Sequence, residues 1–198
     1  MPILPSQYIF VYGTLRSEHP EHQRFCSNTL SIQKAELSGE LYQLPEGYPI
    51  LQISPSQILA HASPDPISDW QKASVEIQAI APTKPAPGRG QPPPQPSLPS
   101  TAALHRTIDQ KPQGAPPTSI PPLIQGQLLE FPLTSHALEP LDQWECFTPG
   151  TPSAYQRYLV RPTQTETNQP LCWVYATTQS PKKAAKLATT TWQRPIDL

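Results

Sequence analysis

The chain has 198 residues, of which 29 are proline, and a formal net charge of −1. This length allows one domain, or one domain with a long irregular segment. A nearly neutral chain without a basic stripe gives little electrostatic support for binding nucleic acid or a membrane surface. Since no apolar run approaches the ~20 residues that span a bilayer and no Lys or Arg precedes Arg16, we expect a cytoplasmic protein without a signal peptide.

The first quarter of the sequence predicts three strands and a short helix. Residues 7–12 are β-branched and aromatic and stop at Gly13, which is typical of a buried strand that ends in a tight turn. Residues 20–30 predict a short helix that starts at a proline. Residues 31–44 alternate between apolar and polar side chains, which predicts a half-exposed strand, and residues 48–53 predict another short strand.

Prolines then dominate the sequence. Residues 54–122 hold 16 of the 29 prolines, and residues 82–99 hold eight. Because each proline fixes φ and removes a backbone donor, we interpret 54–122 as an extended or disordered insertion with at most a little local structure around residues 67–80. The Pro-x-x-Pro pattern at Pro96–Pro99 is compatible with a proline-motif-binding partner at 82–122, but a passive linker is the preferred interpretation.

Regular patterns resume at Leu123. Residues 123–131 alternate like a strand, and residues 134–144 have helical spacing, with Thr134 or Ser135 as a cap and Pro140 as a point of bending or splitting. Residues 155–161 and 171–177 predict two strands, which a hairpin loop at 163–169 would join. Residues 181–192 predict a terminal helix.

These elements predict an α+β fold. We expect a small mixed β-barrel of five to six strands with flanking short helices, interrupted by the long proline-rich insertion. The chain would be a single domain over residues 1–198, ordered mainly in 1–53 and 123–192.

The turn after the first strand is the first candidate site. Gly13 permits a tight turn, after which the amides of Gly13, Thr14 and Leu15 could converge into an anion-binding nest suited to a carboxylate. The Thr14 hydroxyl would add a donor. Turns of this kind are also common as purely structural features.

Glu145 is the second candidate, because it follows an apolar helix face directly. It is either solvated at a helix end or held in an apolar pocket beside Trp144, where desolvation would raise its pKa towards that of a general base. We expect the neighbouring Asp142 to be a surface charge. Tyr155 and Tyr175 could reach a pocket, although such tyrosines are usually core residues with one hydrogen bond.

Cysteine and histidine spacing gives no sign of a metal site. Cys26, Cys146 and Cys172 are odd in number and irregularly spaced, so we expect buried thiols in a reducing compartment rather than disulfides or zinc ligands. His19 and His22 lack a second pair of ligands, and we expect them to be exposed. No metal or other cofactor is predicted.

Several segments together resemble a known family. Phe10–Leu15 (Phe-Val-Tyr-Gly-Thr-Leu) is similar to the N-terminal signature of the γ-glutamylcyclotransferase-like superfamily, which includes γ-glutamylamine cyclotransferases and avirulence-induced-gene-like proteins. Four more segments resemble later motifs in family order: Gly126–Leu129 (preferred to Gly39–Tyr42), Leu141–Glu145, Tyr155–Arg157 and Trp173–Tyr175. The similarity covers about 1–53 and 123–178, with no expected counterpart for 54–122.

The resemblance implies a small mixed β-barrel and a specific reaction. The turn Tyr12–Leu15 would hold the α-carboxylate of a small-molecule γ-glutamyl substrate, a γ-glutamyl amide or γ-glutamyl amino acid. Glu145 would be the general base that promotes its cyclisation to 5-oxoproline with release of an amine. Tyr12, Tyr155 and Tyr175 would line the pocket, and no metal or cofactor is required.

The sequence also departs from the family pattern. Cys146 follows Glu145 where the family usually has glycine, and Pro149, Gly150 and Pro152 lengthen the segment that precedes Tyr155. Both departures lie beside the expected base. A catalytically inactive scaffold whose insertion binds partners is therefore the alternative hypothesis, and a small-anion sensor is a weaker one.

Overall fold

The computed structural model describes residues 6–80, 121–163 and 170–195, with the side chains of 74–80 excepted. These residues form nine strands, three α-helices and one 3₁₀ turn at Pro55–Gln57. In chain order the strands are β1 Ser6–Val11, β2 Ser31–Ser38, β3 Glu40–Gln43, β4 Pro49–Gln52, β5 Ala60–His61, β6 Leu123–Pro132, β7 Gln156–Val160, β8 Cys172–Ala176 and β9 Ala185–Lys186. The helices are α1 Pro20–Phe25, α2 Pro66–Ile80 and α3 Glu139–Trp144.

The strands form a six-stranded sheet in the order β2-β6-β1-β8-β7-β5 and a three-stranded sheet in the order β4-β3-β9. The first sheet is mixed, because β1 runs parallel to β8 and antiparallel to β6. The predicted α+β class with a mixed sheet and short helices is confirmed. The expected β-barrel is not closed within the described residues: the edge strands β2 and β5 do not pair with each other, and an isolated bridge joins Glu36 of β2 to Thr163 after β7.

The single strand predicted over residues 31–44 is two strands. It breaks at Gly39, after which β3 leaves the large sheet and pairs with β4 and β9. The second sheet stays linked to the first, since Gln52 of β4 forms an isolated bridge with Thr177 directly after β8. Alternation of apolar residues continues through the break, which is why the sequence pattern did not reveal it.

Two predicted helices differ from the structure. Residues 181–192 contain turns and the two-residue strand β9 instead of a terminal helix. The helix predicted over 134–144 starts only at Glu139, and its N-cap Leu138 makes no side-chain capping bond. Pro140 lies in the first turn of α3 and does not bend it, because the amide that proline lacks would have no partner inside the helix at that position.

The predicted insertion is partly ordered. Ser54 and Gln57 form a capping box on the 3₁₀ turn, and Ala60 of β5 pairs with Leu159 of β7. Helix α2 buries Ala73 in the core. The local structure expected around residues 67–80 is present as α2. Residues 54–66 differ from the expectation of an extended or disordered segment, because they form the 3₁₀ turn and β5, and Ala60 and Ala62 pack against the core.

The remaining predictions for the insertion fall on residues 81–120, outside the described residues. They include the proline-rich stretch 82–99 and the Pro96–Pro99 pattern on which the scaffold hypothesis depends. The loop predicted at 163–169 is also outside, apart from Thr163.

Apolar residues pack on both faces of the large sheet, with β1 at its centre. Ile9 and Val11 contribute to one buried cluster, and Phe10 and Tyr12 contribute to the other. Since β1 and β8 are parallel, both end at the same edge, which brings the turn after Val11 close to the end of β8. None of the helices in the described part of the chain combines the length and apolarity needed to cross a membrane.

Two of the three cysteines are buried as expected. Cys26 and Cys172 are buried, but Cys146 is exposed, which corrects the expectation for that residue. All three thiols are free.

Candidate active site

A cavity of about 490 Å³ opens where β1 and β8 end. All of the residues that the sequence singled out for a site lie in its wall, namely Tyr12, Gly13, Thr14, Leu15, Glu145, Tyr155 and Tyr175. The turn after β1 and the residue after α3 are about 130 positions apart in sequence, and the fold brings them to one concave surface.

The turn at Gly13 requires glycine for steric reasons. Arg16 N–H donates to Gly13 O at 3.1 Å, which closes the turn. A Cβ atom at Gly13 would lie 2.6 Å from Cγ of Pro49, which is closer than side-chain atoms approach each other. The first residue of β4 therefore packs directly against the turn and fixes its shape.

The turn has hydrogen-bond donors to offer a ligand. Among the described residues, no acceptor receives the backbone N–H groups of Gly13, Thr14 and Leu15. The Thr14 hydroxyl accepts a hydrogen bond from Trp144 Nε1 at 3.3 Å, so its own proton is free to be donated. Adjacent unpaired donors in a cavity wall are suited to an anion such as a carboxylate.

Glu145 is the half-buried C-cap of α3, directly after the indole that bonds to Thr14. Desolvation raises the pKa of its carboxyl to about 8, and the negative charge of Asp142 contributes to the same shift. Of the two alternatives left by the sequence, the structure favours the apolar pocket over the solvated helix end. A carboxyl with this pKa can take up and give back a proton near neutral pH.

Asp142 is not the surface charge that we expected. Its two carboxylate oxygens each accept a hydrogen bond of 2.7 Å from Nη1 of Arg157, and one also accepts from the Tyr175 hydroxyl at 2.6 Å. Burial raises the Asp142 pKa, while Arg157 and Tyr175 act in the opposite direction. This network ties α3 to β7 and β8, and so fixes the helix end that carries Glu145.

Arg157 ends the Tyr155–Arg157 motif, but the sequence assigned it no role in supporting the site. Its side chain is 2 % exposed and lies over the rings of Phe147 and Trp173 at 5.3 and 5.2 Å. Its position in a predicted strand rich in aromatic and aliphatic residues was the available signal, because a buried guanidinium needs an acidic partner.

Three tyrosines line the cavity, and each donates its hydroxyl proton in a hydrogen bond within the protein. Tyr12 donates to the Tyr175 carbonyl at 2.8 Å and accepts from Leu51 N–H at 3.1 Å. Tyr155 donates to the Pro49 carbonyl at 2.9 Å, and Tyr175 donates to Asp142. Burial is the largest cause that raises the pKa of all three phenols, so they remain protonated.

Cys146 occupies a backbone conformation that favours glycine. Its φ is 50°, in the left-handed region, directly after the helix C-cap. The lengthened loop then folds back, since Ser153 donates to the Cys146 carbonyl at 3.2 Å. Cys146, Ser153 and Ala154 all line the cavity, so both departures from the family pattern contribute to its wall.

The turn between β3 and β4 and the first residue of β4 also line the cavity, through Leu44, Glu46, Tyr48 and Pro49. Sequence reasoning did not assign these residues to the site, because a break at Gly39 was needed to bring them there. The Tyr48 and Trp144 rings meet edge-on with centroids 6.5 Å apart. In the described ranges, no group of three or more His, Cys, Asp or Glu residues is arranged to hold a metal ion.

Comparison with known proteins identifies one family model that this chain matches. Residues 9–61 and 96–194 match the model of the family described as "Gamma-glutamyl cyclotransferase, AIG2-like". The match includes residues 54–61 and 96–122, for which we had expected no counterpart. A crystal structure of an AIG2-like protein from Mus musculus is similar over 89 % of this chain and 81 % of that one, with 19 % identity and a TM-score of 0.46. No curated protein matches.

Proposed function

Since this chain belongs to the γ-glutamyl cyclotransferase, AIG2-like family, we propose that it cyclises γ-glutamyl amides to 5-oxoproline with release of an amine. One observation carries the proposal: Glu145, with its raised pKa, and the donor-bearing turn Tyr12–Leu15 line the same cavity. The reaction needs an anion site for the glutamyl head and a base beside its amine, and these two features supply them.

The turn would hold the substrate α-carboxylate. The free amides of Gly13, Thr14 and Leu15 and the Thr14 hydroxyl are the donors for it. Holding this end folds the flexible glutamyl chain so that its α-amine approaches its own γ-carbonyl. Because the attack is intramolecular, fixing the near-attack shape removes much of the entropic cost of the step.

Glu145 would carry the proton through the reaction. Its carboxylate takes a proton from the α-amine as the amine nitrogen attacks the γ-carbonyl carbon and forms the ring C–N bond. Collapse of the tetrahedral intermediate breaks the bond to the leaving amine, whose nitrogen takes the proton back from Glu145. The products are 5-oxoproline and the amine, and neither water nor a redox partner is consumed.

The pKa of about 8 suits both halves of this cycle. A base of this strength accepts a proton from the attacking amine and still returns it to the leaving group, and such catalysis contributes on the order of 10²–10⁴-fold. The neighbouring hydrophobic and aromatic wall keeps the carboxyl poorly solvated. Asp142, held by Arg157 and Tyr175, fixes its position.

Product formation tests the proposal. Purified protein is incubated with a panel of γ-glutamyl amides and γ-glutamyl amino acids, and 5-oxoproline and the released amine are quantified together. We expect equal amounts of both products, and a loss of at least 10²-fold for Glu145→Gln. Glu139→Gln is the matched control, because Glu139 is an exposed carboxylate of the same helix. Turnover of no substrate on the panel, or full activity of Glu145→Gln, would refute the proposal.

A further inference from the structure

The outer part of the cavity carries a second carboxylate. Glu46 lines the cavity from the turn between β3 and β4. The negative charges of Glu145 and Glu46 both raise the pKa of Tyr155, in addition to the larger effect of burial. Because both carboxylates are close enough to Tyr155 to raise the pKa of its phenol, Glu46 and Glu145 belong to the same cavity.

The cavity has no positive side chain to balance these acids. In the part of the chain that the structure describes, no Lys, Arg or His lines it. Glu46 also takes part in none of the ion pairs formed by the described residues. An anionic group in the outer cavity would meet uncompensated negative charge, whereas a cationic group would be attracted.

Aromatic rings surround the same region. Tyr48, Trp144 and Tyr155 line the cavity, with Tyr48 edge-on to Trp144. The Tyr155 hydroxyl is bonded to Pro49, which fixes its ring in the wall. Aromatic faces near a carboxylate are a favourable environment for an ammonium group, through cation–π attraction together with the ion pair.

On the basis of the proposed function, we infer that the preferred γ-glutamyl amides have a leaving amine with a second, cationic group, which Glu46 and these aromatic rings bind. Glu46 is then the residue that determines specificity. It favours amides of diamines over amides whose leaving group ends in a carboxylate, as amino acids do. The glutamyl head and the distal cation would occupy opposite parts of the cavity, with the scissile bond between them near Glu145.

Three substrates of matched length test this inference. They are the γ-glutamyl amides of 1,4-diaminobutane, n-pentylamine and 5-aminopentanoate, which place an ammonium, a methyl or a carboxylate group after the same four methylenes. The measured quantity is kcat/KM for 5-oxoproline release at low ionic strength. The proteins compared are the parent, Glu46→Gln and the control Glu139→Gln.

We expect the parent to prefer the ammonium substrate over the methyl substrate and the methyl substrate over the carboxylate. Glu46→Gln should lower kcat/KM for the ammonium substrate about twofold to fivefold, raise it for the carboxylate and leave the methyl substrate unchanged. High salt should shrink these differences, because it screens exposed charges. Glu139→Gln should behave like the parent.

The outcomes separate the two proposals. Comparable turnover of all three substrates, unchanged by Glu46→Gln, would overturn the inference and leave the cyclotransferase function standing. If Glu46→Gln changed kcat/KM equally for all three substrates, Glu46 would affect the shape of the cavity and not its preference for charge. That result would also overturn the inference. Absence of 5-oxoproline from every substrate would refute the function and the inference together.

Discussion

Replacing Glu145 by glutamine should alter the pH dependence of folding stability. The Glu145 pKa is about 8 in the folded protein, against an ordinary value of 4.5. A carboxyl whose pKa is raised by folding holds its proton more tightly in the folded state. The contribution of Glu145 to the free energy of unfolding is therefore largest below pH 4.5. It is lost as pH rises from 4.5 to 8 and stays constant above pH 8.

The size of the effect follows from the two pKa values. Each pH unit between them corresponds to about 1.36 kcal/mol, so the full interval of 3.5 units sets an upper bound of about 5 kcal/mol. The Glu145 carboxyl faces a cavity open to solvent, and water there reduces the cost of ionisation. Glu145→Gln cannot ionise, so its free energy of unfolding should not show this loss. We expect the difference in free energy of unfolding, variant minus parent, to increase by about 1–3 kcal/mol between pH 5 and pH 8.5.

Urea denaturation of both proteins at half-unit steps between pH 5 and pH 9 measures this difference without any substrate. Glu139→Gln is the control, since its carboxylate is 57 % exposed and should give a nearly pH-independent difference from the parent. If the stability difference between Glu145→Gln and the parent is the same at every pH, the Glu145 carboxyl is not desolvated. Glu145 would then lack the raised pKa that a general base near neutral pH needs.

Three further substitutions give distinct outcomes. Cys146→Gly should stabilise the protein by about 0.5–1 kcal/mol in urea denaturation, because a φ of 50° is strained for any residue with a side chain. Cys146→Ala keeps that strain, so an equal gain for Cys146→Ala would contradict this explanation. Asp142→Asn should cost about 3–5 kcal/mol by leaving Arg157 buried without its partner, and a loss below 1 kcal/mol would show that the ion pair is unimportant. Gly13→Ala should lower the free energy of unfolding by about 1–3 kcal/mol and raise KM, because the new Cβ would clash with Pro49 and displace the turn. An unchanged KM would mean that the turn does not bind substrate.

Local sequence patterns predicted most of the strands, because burial of alternating residues leaves a clear trace. They could not show where a strand changes sheet. The alternation that continues from β2 into β3 hides the break at Gly39, and that break brings Glu46 and Tyr48 to the cavity. The barrel expectation failed for a similar reason, since pairing between distant strands is not encoded in any local pattern.

Proline content was a misleading guide within 54–66. The prolines of this stretch start the 3₁₀ turn at Pro55 and helix α2 at Pro66, and both positions suit proline. The charge partners in the site were equally hard to foresee. Asp142 looked like a helix-surface charge because its partner Arg157 lies 15 residues later, on strand β7.

The resemblance to a family singled out the residues of this candidate cavity more clearly than any residue pattern taken alone. The turn at Gly13 and the carboxylate of Glu145 were each ambiguous in the sequence, and their significance comes from lining one cavity. The Thr14–Trp144 hydrogen bond links these two parts directly.

The most direct test of the account is the pH dependence of 5-oxoproline release by the parent and by Glu145→Gln. The substrate amine titrates identically with both proteins, so the ratio of their kcat/KM values reports Glu145 alone. We predict that this ratio rises about tenfold per pH unit below pH 8, levels off above it, and reaches at least 10². A ratio near one at every pH would show that Glu145 is not the base.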